Sequence, residues 1–346
     1  MRLVSPTLKK VVYPAMHYCG WLKRSVPSDG CLVVNYHGVI PSGSYSRHPF
    51  LDDNLVSSAA LQKQLRFLKA NYDVIDAEAF RAWLVKGGNL PSRSVLVTCD
   101  DGLANNLSDM LPILQSESVS CLFFVTGESC REQAGVLWYE ELYHLVATGQ
   151  VSDQDLQTIF ETDGLNSRQR GVQATWWSCV MGASRFKRSL RAEKIGLLRS
   201  ISKSAVSTLS GKRWTLLNVR ELLQLARSGM SIGAHTMSHP VLAQCTEDDA
   251  LREIVESKAE LECVLAQPVW ALAYPFGTPG TITQREVNLA RDAGFECAFV
   301  NVGGGAVDAL QRYVLARTHV TSGMSLAEFE AHLSGFHTWL QAAVRR

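Results

Sequence analysis

The chain has 346 residues, of which 46% are hydrophobic and 19% are charged. Against a typical domain of about 150 residues, this length allows one large catalytic domain or two ordinary ones. The composition excludes an intrinsically disordered chain, since disorder needs low hydrophobicity and a high net charge. With 34 Lys and Arg against 33 Asp and Glu, the formal charge is +1. No basic stripe stands out, so we expect no nucleic-acid partner.

The cysteines and the N-terminal segment bear on the compartment. The nine cysteines include no C-x-x-C pair, which predicts reduced thiols in a reducing compartment. The N-terminal segment lacks the apolar stretch and cleavage site of a signal peptide, and no stretch reaches the ~20 apolar residues of a transmembrane helix. We therefore expect a cytoplasmic protein, with the inner face of the membrane as an alternative. The segment from Leu8 to Trp21 either lies on a membrane surface or packs as a helix on the domain.

Apolar strands alternate with helical segments along most of the chain. The run CLVVNYHGV predicts a first strand, and the leucine spacing from Val56 to Leu84 predicts helix. The run from Pro91 to Gly102 predicts a buried strand that ends in a polar loop, followed by another helix and another strand. After a long interruption the alternation resumes near Met230 and continues to Val320. Such β-α-β alternation predicts a parallel sheet or barrel coated by helices.

The interruption divides the chain into regions. Residues 129–229 are polar and helix-like, so we predict a mostly helical insertion there, forming a lid or a substrate wall. Residues 30–128 and 230–325 are then the barrel. We predict an N-terminal helical segment over residues 1–29 and a C-terminal helix over residues 326–346, with Leu326 to Val344 as one helix.

Two histidines and a carboxylate have the pattern of a catalytic metal site. His235 and His239 are four residues apart, so on one turn of helix both imidazoles face the same point. Asp101 follows a predicted strand and supplies an oxygen as third ligand. Three such ligands leave coordination positions open for water and substrate, which is the catalytic rather than the structural arrangement. The sequence therefore predicts a hydrolytic metal centre.

Asp100 stands directly before Asp101. Two adjacent carboxylates on a turn can divide the work, one binding metal and the other taking a proton from the attacking water. Gly102 permits the tight turn behind them. Each signal alone is common in ordinary helices and turns, and it is their combination at predicted strand ends that indicates an active site.

These residues belong to motifs that resemble a known family. The motifs TCDDG, HTMSHP and YPFG, with YHGV upstream, resemble those of the polysaccharide deacetylases of carbohydrate esterase family 4, the NodB-homology domain. Bacterial members with an N-terminal Y-H-x-V strand are the most similar. The resemblance implies a distorted (β/α)7 barrel that removes acyl groups, usually acetyl, from N-acylated sugars with one divalent metal. Zinc is the expected ion, with Co²⁺, Ni²⁺ and Mn²⁺ as alternatives.

The resemblance also implies residue roles. It gives Asp100 as the general base, and as metal ligands it gives Asp101, His235 and His239. In the family an imidazole protonates the leaving amine, and in members with the Y-H-x-V strand this group comes from the N-terminal side. His37 is therefore the expected acid. His319 is the competitor, because other members take the acid from late in the chain.

The YPFG turn is the expected substrate-binding element, comprising Tyr274, Pro275 and Phe276. By resemblance the backbone N–H of Phe276 stabilises the oxyanion. The rings of Tyr274, Phe276 and Trp138 have two open interpretations: stacking on sugar faces, or packing in the core, which is the more common role of aromatic residues at strand ends. The family often carries an Arg two residues before this Pro, where it orients the catalytic Asp, but this chain has Ala273. Arg317 is a candidate substitute, and a purely structural role for it is equally open.

The sequence thus predicts an enzyme that deacetylates amino sugars of a polysaccharide, lipopolysaccharide or lipid-linked glycan. Two alternatives remain open. One is a metal-dependent amidohydrolase or deformylase that acts on a non-acetyl or non-sugar amide. The other is an inactive glycan-binding scaffold, suggested by the missing Arg. The sequence does not predict the sugar, the linkage or the oligomeric state.

Overall fold

The centre of the fold is a curled β-sheet, seen in a computed structural model that describes residues 6–24, 30–40, 50–133, 135–202 and 211–344. Most strands are short, apolar and buried, as expected for parallel strands covered on both faces. The strands are β1 (Cys31–Tyr36), β2 (Val39–Ile40), β3 (Val56–Ser57), β4 (Asp73–Ile75), β5 (Ser94–Cys99), β6 (Leu122–Val125), β7 (Ser231–Ala234), β8 (Ala271–Ala273), β9 (Cys297–Phe299), β10 (Ala306–Val307) and β11 (Thr318–His319).

Within the described ranges, seven parallel strands follow one another around the sheet in the order β11, β1, β5, β6, β7, β8 and β9. A parallel bridge between Phe299 and Leu315 leads from β9 back toward β11, which curls the sheet most of the way round. β10 pairs antiparallel with β1, β4 pairs with β5, and β2 and β3 form a separate two-stranded sheet. The predicted α/β class and distorted barrel are confirmed.

Helices cover this sheet. Several begin at side-chain caps that the sequence supplies, for example Ser57, Asp76 and Thr246, whose oxygens accept hydrogen bonds from first-turn amides. The helices are α1 (Pro6–Tyr18), α2 (Trp21–Arg24), α3 (Ser58–Asn71), α4 (Ala77–Lys86), α5 (Leu111–Ser116), α6 (Trp138–Ala147), α7 (Asp153–Phe160), α8 (Ser167–Ala183), α9 (Arg188–Ser202), α10 (Val219–Arg227), α11 (Glu247–Leu265), α12 (Gln284–Asp292), α13 (Leu326–Leu333) and α14 (Phe336–Val344).

The helices between β6 and β7 have a core of their own. α6, α7, α8 and α9 pack around a cluster that includes Leu142, Phe160 and Leu198. α10 instead contributes Leu222 and Leu225 to the barrel core. This cluster is distinct from the main barrel core but also includes the barrel-loop residues Leu55, Leu103 and Val241. The domain boundaries drawn from the sequence remain predictions.

One helical region is confirmed in more detail, and one predicted helix is corrected. The helical spacing from Val56 to Leu84 covers two helices, α3 and α4, with the short strand β4 between them. The C-terminal helix predicted from Leu326 to Val344 is broken into α13 and α14 at Gly335, which has φ of +73°. A glycine with left-handed φ is a common helix terminator, because it carries no Cβ.

α1 packs against the C-terminal helices. Tyr13 is fully buried, in a cluster with Ala331 and Phe336, and His17 bonds to Glu330 of α13. The membrane-surface role considered for this segment stays a prediction. Among the described residues, no helix combines the length and apolarity needed to cross a membrane.

Candidate active site

The strand ends bring Asp101, His235 and His239 to one point. Asp101 follows β5 and the two histidines follow β7, and all three are buried. Their ligand atoms lie within 4.8 Å of one another. Asp101 Oδ1 is 3.5 Å from His235 Nε2 and 3.4 Å from His239 Nε2. The register of parallel strands explains this convergence, because neighbouring strands end at the same edge of the sheet.

The two histidines do not lie on a helix, which corrects the expected one-turn geometry. They stand in the loop after β7, where Thr236 has φ of +63° and His239 has φ of +58°. The Thr236 hydroxyl accepts a hydrogen bond from the His239 amide at 3.1 Å. This tight loop, rather than helical periodicity, turns His239 back toward His235. Left-handed backbone in non-glycine residues is uncommon and concentrates at functional sites.

A backbone contact sets the tautomer of His235. Its Nδ1 lies 2.7 Å from the carbonyl oxygen of Ala273. Since a carbonyl only accepts, Nδ1 carries a proton, and in the neutral imidazole Nε2, which faces Asp101, is the nitrogen that can bind a metal. Hydrogen bonding of the remote ring nitrogen is the usual support for a metal-binding imidazole.

The turn after β5 has left-handed backbone conformation at two successive residues. Asp101 has φ of +75° and Gly102 has φ of +70°. A Cβ on Gly102 would come within 2.9 Å of Val125 Cγ1. Glycine is therefore required at this position both for its conformation and for the close approach of β6.

Asp100 is held by a fork of hydrogen bonds from Arg317. Arg317 Nη1 donates to Oδ1 at 2.7 Å and Nη2 donates to Oδ2 at 2.6 Å. Asn35, on β1, donates its amide to Oδ2 at 2.9 Å. Burial alone would raise the pKa of Asp100, but the charge of Arg317 reverses this and holds the pKa below its usual range. Asp100 is thus a fixed carboxylate.

His37 and His319 both reach the same space. β1 and β11 are neighbours, and the two rings lie 4.9 Å apart between centroids. His319 Nδ1 contacts the Asn301 side chain at 2.8 Å, while His319 Nε2 and His37 Nδ1 are buried without a hydrogen-bond partner. Burial lowers the pKa of His319 to about 3 and also lowers that of His37. Both candidates for the acid are present, and their assignment stays a prediction.

These groups line one cavity, which we call the central cavity, with a volume of about 330 Å³. The barrel supplies its floor of carboxylates and imidazoles. α6 and α8 supply aromatic and acidic walls through Tyr139, Glu140, Trp176 and Trp177. The helical region between β6 and β7 therefore shapes the space in front of Asp101.

The residues of the YPFG turn lie in different environments. Phe276 lines the central cavity, and its ring lies 4.7 Å from that of His239. Tyr274 is fully buried in the barrel core, and its hydroxyl donates to the Tyr313 carbonyl at 3.2 Å. A fully buried ring offers no face to a sugar, so Tyr274 takes the core role and not the stacking role. Pro275 is also buried and lies outside the lining of the cavity.

Sequence reasoning missed several residues of the site. Asn35 was detectable as a polar residue in an otherwise apolar strand. Tyr139, whose hydroxyl lies 3.4 Å from Asp101 Oδ2, carried no signal. Neither did Glu140, which pairs with Arg213 at 3.2 Å. Burial raises the pKa of Glu140 to about 7, although the charge of Arg213 opposes this.

The donor set fits a divalent metal. Asp101 Oδ1, which faces Nε2 of both histidines, is buried and lacks a hydrogen-bond partner. Burial lowers the pKa of His239 to about 3, which keeps its imidazole neutral, and neutral imidazole is the form that binds metals. Two imidazoles and one carboxylate suit zinc and neighbouring transition metals, with positions left open for catalysis. The identity of the ion is not encoded in this set.

The fold and the site together describe a (β/α) barrel that carries a candidate metal site of Asp, His and His at the carboxyl ends of its strands. The sequence model of the polysaccharide deacetylase family matches residues 191–298. A Bacillus subtilis (strain 168) protein, YxkH, named as a candidate polysaccharide deacetylase, is 26% identical over 117 residues. That alignment covers 34% of this chain and 41% of the relative. These matches confirm the resemblance to polysaccharide deacetylases that the motifs predicted.

Solved structures share the fold. The Streptococcus pyogenes deacetylase PplD, solved in complex with acetate, superposes with a TM-score of 0.57 at 17% identity, covering 89% of this chain and 99% of that one. IcaB from Ammonifex degensii gives 0.54 at 16% identity, with 89% and 99% covered. A de-N-acetylase from Aggregatibacter actinomycetemcomitans gives 0.54 at 13%, with 88% and 100% covered. The fold that these structures share therefore extends over most of the chain.

Proposed function

We propose that this protein is a metal-dependent deacetylase that removes N-acetyl groups from amino sugars of a glycan. The observation that carries the proposal is the convergence of Asp101, His235 and His239 on one buried point, directly beside the Arg317-held carboxylate of Asp100. The family match supports the reaction class. The names of the relatives support an acetylated polysaccharide as the substrate class.

The site residues suit amide hydrolysis. A divalent cation held by Asp101, His235 and His239 would acidify water and polarise the acetyl carbonyl. Asp100 is positioned to accept the proton of the attacking water, because its pKa keeps it ionised. The backbone N–H of Phe276, at the edge of the central cavity, would donate to the developing oxyanion.

The amide nitrogen needs a proton to leave, since an amine anion is a poor leaving group. His37 is our candidate for this acid, with His319 as the alternative. Both line the central cavity and each has a buried ring nitrogen without a partner. The reason for suspecting an inactive scaffold is weakened, because Arg317 bonds to Asp100 where the family's usual arginine is missing.

Metal content and acetate release test the proposal together. Purified wild type, Asp101→Ala and His235→Ala are reloaded with Zn²⁺ and measured by elemental analysis, with Asp163→Ala, an exposed loop carboxylate, as the matched control. We expect about one ion in the wild type and the control and a loss of it in the two site variants. Failure of the wild type to bind any divalent ion would refute metal-dependent chemistry.

The substrate is tested on a panel of N-acetylated oligosaccharides, N-formylated analogues and non-sugar amides. Acetate release from the sugars alone, lost in Asp100→Asn, would support the proposal. Release of formate, or hydrolysis of non-sugar amides alone, would instead favour a metal-dependent amidohydrolase. Binding of glycans without any product would favour a binding protein on this scaffold.

A further inference from the structure

A second and larger cavity lies on the other side of α6 from the central cavity. Its volume is about 640 Å³, against about 330 Å³ for the central cavity. Adjacent residues face the two spaces: Trp138 and Ser238 line this second space, whereas Tyr139 and His239 line the central cavity. We call it the insertion cavity. A concave space of this size is typical of small-ligand sites.

The walls of the insertion cavity are mixed in character. Leu137, Ile195 and Leu216 form apolar surfaces, while Gln133 and Glu128 add polar groups. Apolar patches beside hydrogen-bonding side chains are the surfaces that pyranose sugars use, because a sugar presents C–H faces and a rim of hydroxyls. A purely aliphatic ligand would leave the polar groups unpaired, which costs free energy.

The charged residues around the insertion cavity disfavour a phosphate or carboxylate ligand. Three arginines line the insertion cavity, but each is already close to a carboxylate. The pairs are Arg188 with Glu256 at 3.3 Å, Arg191 with Glu253 at 3.5 Å, and Arg199 with Glu141 through two hydrogen bonds. Glu128 adds a further negative charge. With no surplus of positive charge, the cavity offers both donors and acceptors, which suit neutral hydroxyl groups.

One buried group in the lining lacks a partner. Thr126 stands directly after β6, is fully buried and lines the insertion cavity. Its hydroxyl oxygen has no hydrogen-bond partner within the described chain. Buried polar groups without a partner are rare, and a ligand or an ordered water is the usual explanation for one.

Trp138 connects this cavity to the candidate metal site. Its indole Nε1 donates to the carbonyl oxygens of Ser238 at 2.9 Å and His239 at 3.2 Å. The guanidinium of Arg191 lies over the same indole, 5.0 Å from the ring centroid. A ligand in the insertion cavity would therefore contact a residue that supports the His239 loop.

We propose that the insertion cavity is a second sugar-binding site, which takes a neutral glycosyl unit while the unit to be deacetylated occupies the central cavity. The identity of the polymer rests on the proposed function, but the site itself rests on the lining residues. Neighbouring residues of α6 and of the His239 loop line the two cavities, so under this proposal two units of one oligosaccharide would lie on either side of them. The same site could instead bind a separate sugar that is not part of the glycan in the central cavity.

Binding is tested without relying on activity. Indole ¹⁵N spectra of the full-length protein are recorded with N-acetylglucosamine, its β-1,4-linked dimer and its tetramer, and the Trp138 signal is assigned with Trp138→Phe. We expect a saturable Trp138 shift that is abolished by Ala192→Trp, which fills the insertion cavity. Ala174→Trp, an exposed alanine on α8 that lines neither cavity, should retain the shift.

The comparison of monomer, dimer and tetramer distinguishes one glycan that spans both cavities from a separate sugar in the insertion cavity. A shift with the tetramer but not the monomer supports one glycan spanning both cavities, and a shift with the monomer supports a separate sugar. No Trp138 shift with any of the three sugars would overturn the inference. A shift with inorganic phosphate alone would overturn the assigned ligand class.

Kinetics distinguish this inference from the proposed function. In an active enzyme, Ala192→Trp should raise the KM for the tetramer about tenfold and leave its kcat nearly unchanged, the loss of one binding contact. The KM for the monomer should stay constant if one glycan spans both cavities. If the wild type releases no acetate but the Trp138 shift appears, the proposed function fails and the sugar site stands.

Discussion

Arg317 donates both arms of its guanidinium to Asp100, across 217 residues of sequence, at 2.7 and 2.6 Å. Both side chains are buried, so the pair is shielded from solvent screening. The fork fixes the rotation of the carboxylate as well as its charge, which a single ammonium donor does not do. Arg317 is therefore a positioning residue for the proposed base.

Replacing Arg317 by Lys should lower kcat by about ten- to a hundredfold and change KM little, because the general base is misoriented only for the chemical step. The weaker pairing should also raise the pKa of Asp100. Since Asp100 must be ionised to act, the acidic limb of the pH–rate profile should move to higher pH. Arg312→Lys, at an exposed position, is the control. An unchanged acidic limb would contradict the positioning role.

The two adjacent carboxylates should separate in their effects. Asp101→Asn should abolish the rise in Tm that Zn²⁺ gives the wild type, because a ligand bound only by the folded state adds about 2.7 kcal/mol at a hundred times its Kd. Asp100→Asn should keep the Zn²⁺-dependent rise and lose activity. Thermal melts with and without Zn²⁺ measure both. Loss of the Zn²⁺ effect in Asp100→Asn would show that the two carboxylates do not divide their roles as proposed.

The choice between His37 and His319 depends on the leaving group. His37→Gln should reduce kcat on N-acetylated sugars by about 10²- to 10³-fold. Its effect on 4-nitrophenyl acetate should be small, because a phenolate leaves without protonation. His319→Gln is the matched variant, and assays on both substrates compare the two. If His319→Gln instead shows the amide-selective loss, His319 is the acid.

The sequence predicted the composition of the candidate site better than its geometry. The spacing of His235 and His239 indicated a metal pair, but the structure forms it in a loop with left-handed residues, not on a helix. Nothing in the residue types Thr236 and His239 signals positive φ, since the surrounding barrel imposes it. The four-residue spacing therefore identified the right residues, but the helical geometry inferred from it was wrong.

Long-range partners were the hardest to predict. The departure at Ala273 pointed to a vacant role, and Arg317 was the candidate for it, with a purely structural role equally open. Asn35 and Tyr139 reach the two carboxylates from β1 and α6, and such contacts depend on how the strands and the inserted helices pack. The alternation of strands and helices, by contrast, is local, so the barrel itself was predictable except for short elements such as β4.

Gly102 should tolerate no side chain. Gly102→Ala adds strain at φ of +70° and places a Cβ within 2.9 Å of Val125 Cγ1, so we expect a loss of about 2–4 kcal/mol in unfolding free energy. Gly294 is the comparison position, because it has φ of +79° in the turn that ends α12, with no atom within 4 Å of a built Cβ. Gly294→Ala should cost about 1–2 kcal/mol from conformation alone. Urea denaturation compares the two, and equal losses would exclude the contact with Val125 as a cause.

Acid should loosen the junction of α1, α13 and α14. His332 and His337 stack there with ring centroids 3.8 Å apart. Burial lowers the pKa of His332 to about 3, and the charges of His337 and Lys9 add to this. An unfolded histidine has a pKa of about 6.5. Below that pH, His332 binds a proton in the unfolded chain but stays neutral in the folded protein, which favours unfolding.

The contribution of His332 is therefore fully present above about pH 6.5 and falls as the pH drops toward 3. Between pH 7 and pH 5 we expect the wild type to lose about 2 kcal/mol of unfolding free energy through this residue. His332→Asn should reduce that difference even where it lowers stability at both pH values, because the titrating group is gone. His144→Asn, on α6 and away from the stack, should retain it. Urea titrations at the two pH values measure the difference, and an equal pH dependence in wild type and His332→Asn would exclude His332 as its source.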